Sequence, residues 1–296
     1  DSPIDDKVRS AMESLIEDYE HVLSRFRNDS LIAAIGKAEH GGSFDFPDWC
    51  APLFDLYDAL FSATSGAIDP CVGEDLIRLG YDASLSFTVT QDAPEHLGAL
   101  RGRAVWGRDV TRHGTTLVTH EPVQLDFGAC GKGYLVDLLG RMLQSSQFVI
   151  DAGGDLLIHA EQPISVALED PEDQSHAIGI AHIANGALCA SAPSRRHWNV
   201  AVNERTQIAI HHLLNAIDGL PAQQTEASWA YVPANATLNL ARDYPTAVAD
   251  GLATALFVSD VAQLQRTFDF TYATLDESRQ IAVSRNFPAE LFLRSA

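Results

Sequence analysis

The chain of 296 residues carries 20 basic against 40 acidic side chains, a formal charge of −20. Its 46% hydrophobic and 20% charged residues are ordinary globular composition, which excludes disordered and fibrous classes, and no long apolar run is present to span a bilayer. The acidic balance also argues against a groove for nucleic acid, whose phosphate backbone calls for Lys and Arg. Only three cations are lysines, Lys7, Lys37 and Lys132. Four cysteines, Cys50, Cys71, Cys130 and Cys189, are far apart with no CxxC or Cys/His cluster. That spacing speaks against structural zinc and for free thiols, with two disulfides still arithmetically possible.

In chain order, apolar residues at Val8, Met12, Leu15, Ile16, Tyr19 and Leu23 predict a helix over 5–27. Asn28-Asp29-Ser30 caps a short second helix. Gly41-Gly42 opens a loop, and 52–62 reads as a further amphipathic helix ending near Gly66. GAIDPCVG at 66–73 is turn-rich and predicts no regular structure. Short strands are expected at 87–90, 103–106 and 115–126. A helix is expected from Gly131 to Gln147, with Tyr134, Leu135, Leu138, Leu139 and Met142 on its buried side. FVIDAGGDLLIHA (148–160) reads as a strand interrupted by a Gly-Gly bulge, and ISVALED, HAIGIAHIA and QIAIHHLL continue the β pattern. PTAVADGLATALFV (245–258) predicts a helix opened by Pro245, and FTYATLD and QIAVSRNF predict two closing strands. With no repeat, low-complexity run or clear linker, the pattern is one α+β unit over 1–296.

Four segments can carry chemistry. In LDFGACGKGYLVD (125–137) a strand is expected to enter a Gly-rich turn from which a helix leaves, presenting unpaired N–H groups and the positive end of its dipole. Lys132 in that first turn opposes the dipole, a conflict that a bound phosphate would resolve; a tight structural turn satisfies the same spacing. Neither a Walker A loop nor GxGxxG matches. In ADGLATALF (249–257), Asp250 and Thr254 share one face of an apolar helix. A lone buried carboxylate is costly unless paired or metal-bound, and a carboxylate with a hydroxyl suits Mg²⁺ better than zinc; a solvated aspartate is the alternative. His211 and His212 are expected inside a strand, either as core residues or with one as a general base. Arg195 and Arg196 are either surface charge or a phosphate clamp.

Taken in order, these segments resemble the ApbE family of FAD:protein FMN transferases. LSRFRNDSLIAAI is similar to the family's S-x-Y/F-x-x-x-S-x-I/L stretch, GAIDPCVG to G-x-F-D-P-T-V-G, and LDFGACGKGYLVD to D-L-G-A-x-A-K-G-Y-A-V-D. DAGGD at 151–155 stands for N-x-G-G-D, HLLNAIDGLP for H-I-I-D-P-x-T-G-x-P, and ADGLATALFV for A-D-A-L-A-T-A-L-F-V. The likeness runs from about Leu23 to Val258.

The resemblance implies an ApbE-like, T-fold-related α+β architecture, two-lobed, with mixed or antiparallel sheets and flanking helices, binding FAD between its lobes. It implies Mg²⁺ held by Asp250, Thr254 and the Ala129 carbonyl, and an FAD site lined by Ala67, Ile68, Asp69, Asp126, Lys132, Leu213 and Leu214. His212 would be the base and Lys132 the phosphate-neutralising cation. The implied reaction is Mg²⁺-dependent transfer of FMN from FAD to a Thr or Ser hydroxyl of an acceptor protein, with release of AMP. FAD hydrolysis to FMN and AMP, or FAD binding without chemistry, are the alternatives. This chain departs from the family pattern in four places. No segment corresponds to the early Met-Gly-Thr strand, Gly36 stands where Asn is frequent, Ala190-Ser191-Ala192 replaces T-S-G, and Asn215-Ala216 replaces Asp-Pro. The chain begins at Asp1 without an apolar leader, so a cytoplasmic protein, or an exported and membrane-anchored one whose signal lies outside this chain, both agree with the sequence. The acceptor protein and the oligomeric state are not written in it.

Overall fold

A computed structural model describes residues 4–143, 145, 147–203 and 206–292. The helices are α1 (Asp6–Leu23), α2 (Leu31–Lys37), α3 (Ala51–Ala63), α4 (Gly73–Arg78), α5 (Ala93–His96), α6 (Gly131–Gly140), α7 (Asn239–Asp243), α8 (Pro245–Ala255) and α9 (Val261–Leu264). The strands are β1 (Gly42–Asp45), β2 (Val110–His113), β3 (Thr116–Thr119), β4 (Phe148–Asp151), β5 (Asp155–Glu169), β6 (Ala177–Ser191), β7 (His197–Asn203), β8 (Thr206–His211), β9 (Leu214–Asn215), β10 (Leu220–Pro221), β11 (Thr225–Pro233), β12 (Thr271–Asp276), β13 (Ile281–Val283) and β14 (Ala289–Leu291). Helices combine with antiparallel sheets, the α+β class expected. No helix among the described residues is long and apolar enough to cross a membrane.

The chain divides into two compact units, Asp1–Gly128 with His197–Pro221, and Ala129–Arg196 with Ala222–Ala296. The first is helix-rich. Ser30 accepts a hydrogen bond from Ala33 N and so starts α2, while α3 buries Leu53, Phe54, Leu56, Tyr57 and Leu60. A small antiparallel sheet runs β1-β3-β2, and the β7/β8 and β9/β10 ladders pair separately. Leu76, Leu79, Tyr81, Trp198, Ile210 and Leu214 form one of its apolar clusters.

The second unit is built on a seven-stranded sheet of order β13-β12-β11-β6-β5-β4, with β14 also paired to β6. Its long strands β5 and β6 pair over most of their length. Ile158, Leu168, Ile183, Leu188, Trp229 and Leu275 form its core, each such side chain contributing about 1.5–3 kcal/mol when fully buried. Helix α8 has nearly every residue buried, so a polar side chain on it must find a partner.

Several expected elements differ, each for a local reason. Residues 87–90 form no strand, because Leu85 (φ 52°) and Phe87 (φ 49°) take left-handed conformations and Asp82 draws Ser84 N and Ser86 N onto its carboxylate. Residues 103–106 form none either: Val105 N donates to Asp109 and Trp106 N to Asp69, so these donors are lost to a ladder. Of 115–126 only β3 is strand, and β1, β2, β7, β10, β11 and β14 arise where none was expected. The 125–127 segment does not enter as a strand; Asp126 Oδ1 accepts Gly128 N at 2.6 Å and starts the turn early. GAIDPCVG is not wholly irregular, since Asp69 caps a short turn of helix at Pro70–Val72.

Helix α1 stops at Leu23. Helix α6 stops at Gly140, a poor helix former, and buries Tyr134 and Val136 rather than the expected leucine face; of the stretch expected to continue to Gln147, residues 144 and 146 lie outside the described residues. The Gly-Gly of DAGGD is a hairpin turn between β4 and β5, not a bulge. Gly153 (φ 73°) and Gly154 (φ 113°) supply left-handed backbone, and Asp151 Oδ1 accepts Gly153 N at 2.9 Å. His211 closes β8 and accepts Leu213 N on its Nδ1 at 3.2 Å, which bends the chain at His212 and leaves that residue outside the strand.

Candidate functional site

In the second unit, Lys132 meets Asp250 and Asp155, and Thr254, one helical turn beyond Asp250 on α8, meets Ala129. Asp250, buried on α8, accepts Gly133 N on Oδ2 at 3.0 Å. Lys132 Nζ lies 3.0 Å from Asp250 Oδ1 and 3.0 Å from Asp155 Oδ2. Both carboxylates have side chains 2% exposed, whereas the lysine side chain is 58% exposed, so its stem is open while its ammonium faces inward. Asp155 Oδ2 makes no directed hydrogen bond and is matched by that ammonium. Thr254 Oγ1 donates to Ala129 O at 3.4 Å.

The electrostatics follow from burial. Desolvation and then the charge of Asp155 push the Asp250 carboxyl above the usual range, opposed by Lys132 and the Gly133 N–H. Desolvation would lower the Lys132 ammonium, but Asp250 and Asp155 outweigh it and hold the group well above the ordinary lysine range. The conflict between Lys132 and the α6 dipole is thus met inside the protein by two carboxylates. Asp137, on the same helix, accepts Thr246 N on Oδ1 at 3.1 Å and Ala247 N on Oδ2 at 2.8 Å. Burial pushes its carboxyl up to about 7, although those N–H groups favour its charged form.

The donor chemistry at this corner fits magnesium. A carboxylate, a hydroxyl and a main-chain carbonyl are the hard oxygen ligands the ion takes. No group of three or more His, Cys, Asp or Glu among the described residues is placed to hold a metal.

The other expected residues lie in the first unit. Ala67, Ile68 and Asp69 are buried, and the Asp69 carboxylate turns inward: Oδ1 accepts Cys71 N at 2.8 Å and Oδ2 lies 3.4 Å from Arg103 Nη1. Burial raises its pKa, opposed by Arg103. Arg103, itself buried, sits 2.8 Å from Asp75 Oδ2 and donates to Ala216 O at 2.7 Å, while Ala216 N donates to Ala67 O at 3.0 Å. The 67–69 turn and the loop after Leu213 and Leu214 are therefore tied through one guanidinium. Asp126 Oδ2 pairs closely with Arg25 Nε, and that guanidinium lies over the Tyr81 ring, 4.7 Å from its centroid. His212 is half-buried and meets the Tyr81 ring edge-on at 6.5 Å.

Sequence reasoning gives no role to three participants: Asp155, Asp137 and Arg25. Asp155 closes the DAGGD motif and Asp137 the GKGYLVD motif, which is the signal that could have found them; Arg25, whose partner Asp126 is distant in sequence, leaves none. The departures have local effects. Gln124 donates to Gly36 O at 3.1 Å and fills the space a side chain at 36 would use. Asn215 Oδ1 accepts Ile217 N at 3.0 Å, the turn bond an aspartate would make. Arg195 pairs with Glu169 at the surface. The four cysteines are buried and form no disulfide.

The ApbE family model matches residues 2–274. The chain is 27% identical over 286 residues to the FAD:protein FMN transferase of Treponema pallidum (strain Nichols), covering 85% of this chain and 72% of that protein. Its fold is similar to that of the ApbE protein of Thermotoga maritima, with TM-score 0.76 and 20% identity over 95% of this chain and 92% of that one. It is likewise similar to the flavin transferase ApbE of Vibrio cholerae, with TM-score 0.74 and 17% identity over 96% and 90%. The chain belongs to the ApbE family.

Proposed function

We propose that this chain is an FAD:protein FMN transferase, moving FMN from FAD to a Thr or Ser hydroxyl of an acceptor protein with Mg²⁺ as cofactor and AMP as the other product. The observation that carries the reading is the oxygen corner of Asp250, Thr254 and the Ala129 carbonyl with Lys132 beside it. The family membership and the name of the Treponema relative agree with it. In this reading residues 1–296 act as one flavin transferase domain.

The reaction balances as a displacement at phosphorus. The acceptor hydroxyl oxygen forms a bond to the FMN phosphorus, the bond from that phosphorus to the bridging oxygen breaks, and its electron pair leaves on the AMP phosphate. His212 takes the hydroxyl proton. The barrier is largely repulsion between an incoming oxygen and an anionic phosphate, so fixed positive charge supplies much of the catalysis. Magnesium, when bound by Asp250, Thr254 and the Ala129 carbonyl, supplies charge neutralisation to the pyrophosphate. Asp250 and Asp155 hold the Lys132 ammonium where it assists that neutralisation. Asp69 keeps the Ala67–Ile68 backbone fixed for the nucleotide, and Asp126, Leu213 and Leu214 complete the flavin-binding residues.

The test is incubation of the protein with FAD, MgCl₂ and a peptide bearing an acceptor threonine, followed by mass analysis. A peptide gaining FMN, with AMP released, is the expected result. Free FMN and AMP with unchanged peptide would make the protein a pyrophosphatase, and intact FAD would make it a binding protein; either outcome sinks the proposal.

A further inference from the structure

Helices α6 and α8 run side by side in opposite directions, and each supplies a carboxylate to the start of the other. Asp137 of α6 accepts Thr246 N and Ala247 N at the beginning of α8. Asp250 of α8 accepts Gly133 N at the beginning of α6. Within each helix the carboxylate lies about one turn beyond the backbone that receives its partner's carboxylate, Gly133 to Asp137 and Thr246 to Asp250. The contact is close. A Cβ on Gly133 would overlap the Thr246 carbonyl, so only glycine permits this approach. Thr246 O is fixed from a third side by Cys189 Sγ of β6 at 3.5 Å.

From this we propose that Asp137 is a positioning residue for the reaction. It holds the first turn of α8 against α6 and thereby places Asp250 opposite Gly133 N and Lys132. Asp137 touches neither Lys132 nor the Asp250–Thr254 oxygens, so its influence passes through the helix. Asp137 binds the start of α8 through both of its carboxyl oxygens, and partners that orient a ligand typically change metal affinity or activity by about 10–100-fold when altered. An asparagine at 137 keeps one acceptor but turns an NH₂ towards the second N–H, which loosens the clasp while preserving volume.

The inference rests on the proposed function only in treating Asp250 as a cation ligand, and two readouts separate them. Amide hydrogen exchange of [¹⁵N]glycine-labelled protein, without metal, follows the Gly133 N–H directly. In Asp137→Asn that amide should lose protection selectively, while Gly179 and Gly186 in β6 exchange as in the unaltered protein. Mn²⁺ binding, followed by electron paramagnetic resonance without FAD, should weaken about 10–100-fold in the same variant. Should Asp137→Asn fail to fold, Asp137→Ser retains one acceptor and is expected to show the same selective change. Unchanged Gly133 protection, or Mn²⁺ binding equal to that of the unaltered protein, overturns the role of Asp137. If the unaltered protein binds no Mn²⁺, the proposed function fails and the glycine exchange alone decides the clasp.

Discussion

Lys132 is the residue on which the local energetics turn, because two buried carboxylates face its ammonium. Replacing it by methionine leaves Asp155 and Asp250 opposed without a cation. The lysine side chain is more than half exposed, so solvent tempers the penalty, and a loss of about 1–2 kcal/mol in urea unfolding is expected near neutrality. Adding Asp155→Asn should restore most of it, a coupling that a double-mutant cycle measures directly. For His212, substitution by asparagine should lower kcat for FMN transfer about 100-fold or more with little change in KM for FAD; an unchanged kcat would remove it from proton transfer. At this scale the sequence was informative where spacing along one helix is enough, as for Asp250 and Thr254, or Gly133 and Lys132. It marked Asp155 within DAGGD but not its partner Lys132, which lies on another element, and it was silent on Arg25, which meets Asp126 across 101 positions.

Among the elements, α2 shows how much a single cap decides. Ser30 Oγ accepts Ala33 N at 3.1 Å and donates to Arg27 O at 3.2 Å, and the residue is buried. Ser30→Ala should cost about 1 kcal/mol in urea unfolding, the usual worth of an N-cap; no loss would mean that water or a neighbour replaces the hydroxyl. That cap and the helix after it were readable from Asn28-Asp29-Ser30, and α3 and α8 were readable from their apolar runs and opening prolines. Strands were harder. Residues 87–90 and 103–106 have β-type composition, but side-chain carboxylates of Asp82, Asp69 and Asp109 capture backbone donors in or beside them. Such capture depends on residues elsewhere in the chain, which periodicity does not register. The DAGGD segment is ambiguous for a related reason: two glycines fit a bulge or a hairpin turn, and the pairing of 148–151 with 156–159 selects the turn.

Across the whole molecule, the charge of −20 gains a specific meaning. Several carboxylates are buried and held above the ordinary value of 3.8: Asp137 at about 7, Asp75 at about 6, and Asp69 and Asp250 raised by burial. Between that ordinary value and about 7 the folded chain holds more protons than the unfolded chain, so stability falls as pH rises through this window. Asp82 and Asp170, held at about 2 by hydrogen bonds led by Ser86 and Arg279 respectively, act oppositely, and their contribution is lost only as pH falls below the ordinary value. The melting temperature should therefore be higher at about pH 5.5 than at about pH 8, and Asp137→Asn should flatten that slope; a rise towards alkaline pH would contradict it. Self-repulsion among the remaining charges acts in the same direction and is weakened by salt. In the proposed function an anionic pyrophosphate has to be held against this net field, and because Asp250 and Asp155 already face the Lys132 ammonium, magnesium at Asp250 would have to supply the positive charge. The most direct test compares the unaltered protein with Asp250→Asn in the peptide assay, with and without chelation of magnesium by EDTA. The account predicts FMN-bearing peptide and AMP from the unaltered protein with magnesium, and neither from the folded variant or after chelation. FMN transfer by Asp250→Asn at the unaltered rate, or transfer that persists under EDTA, would contradict it.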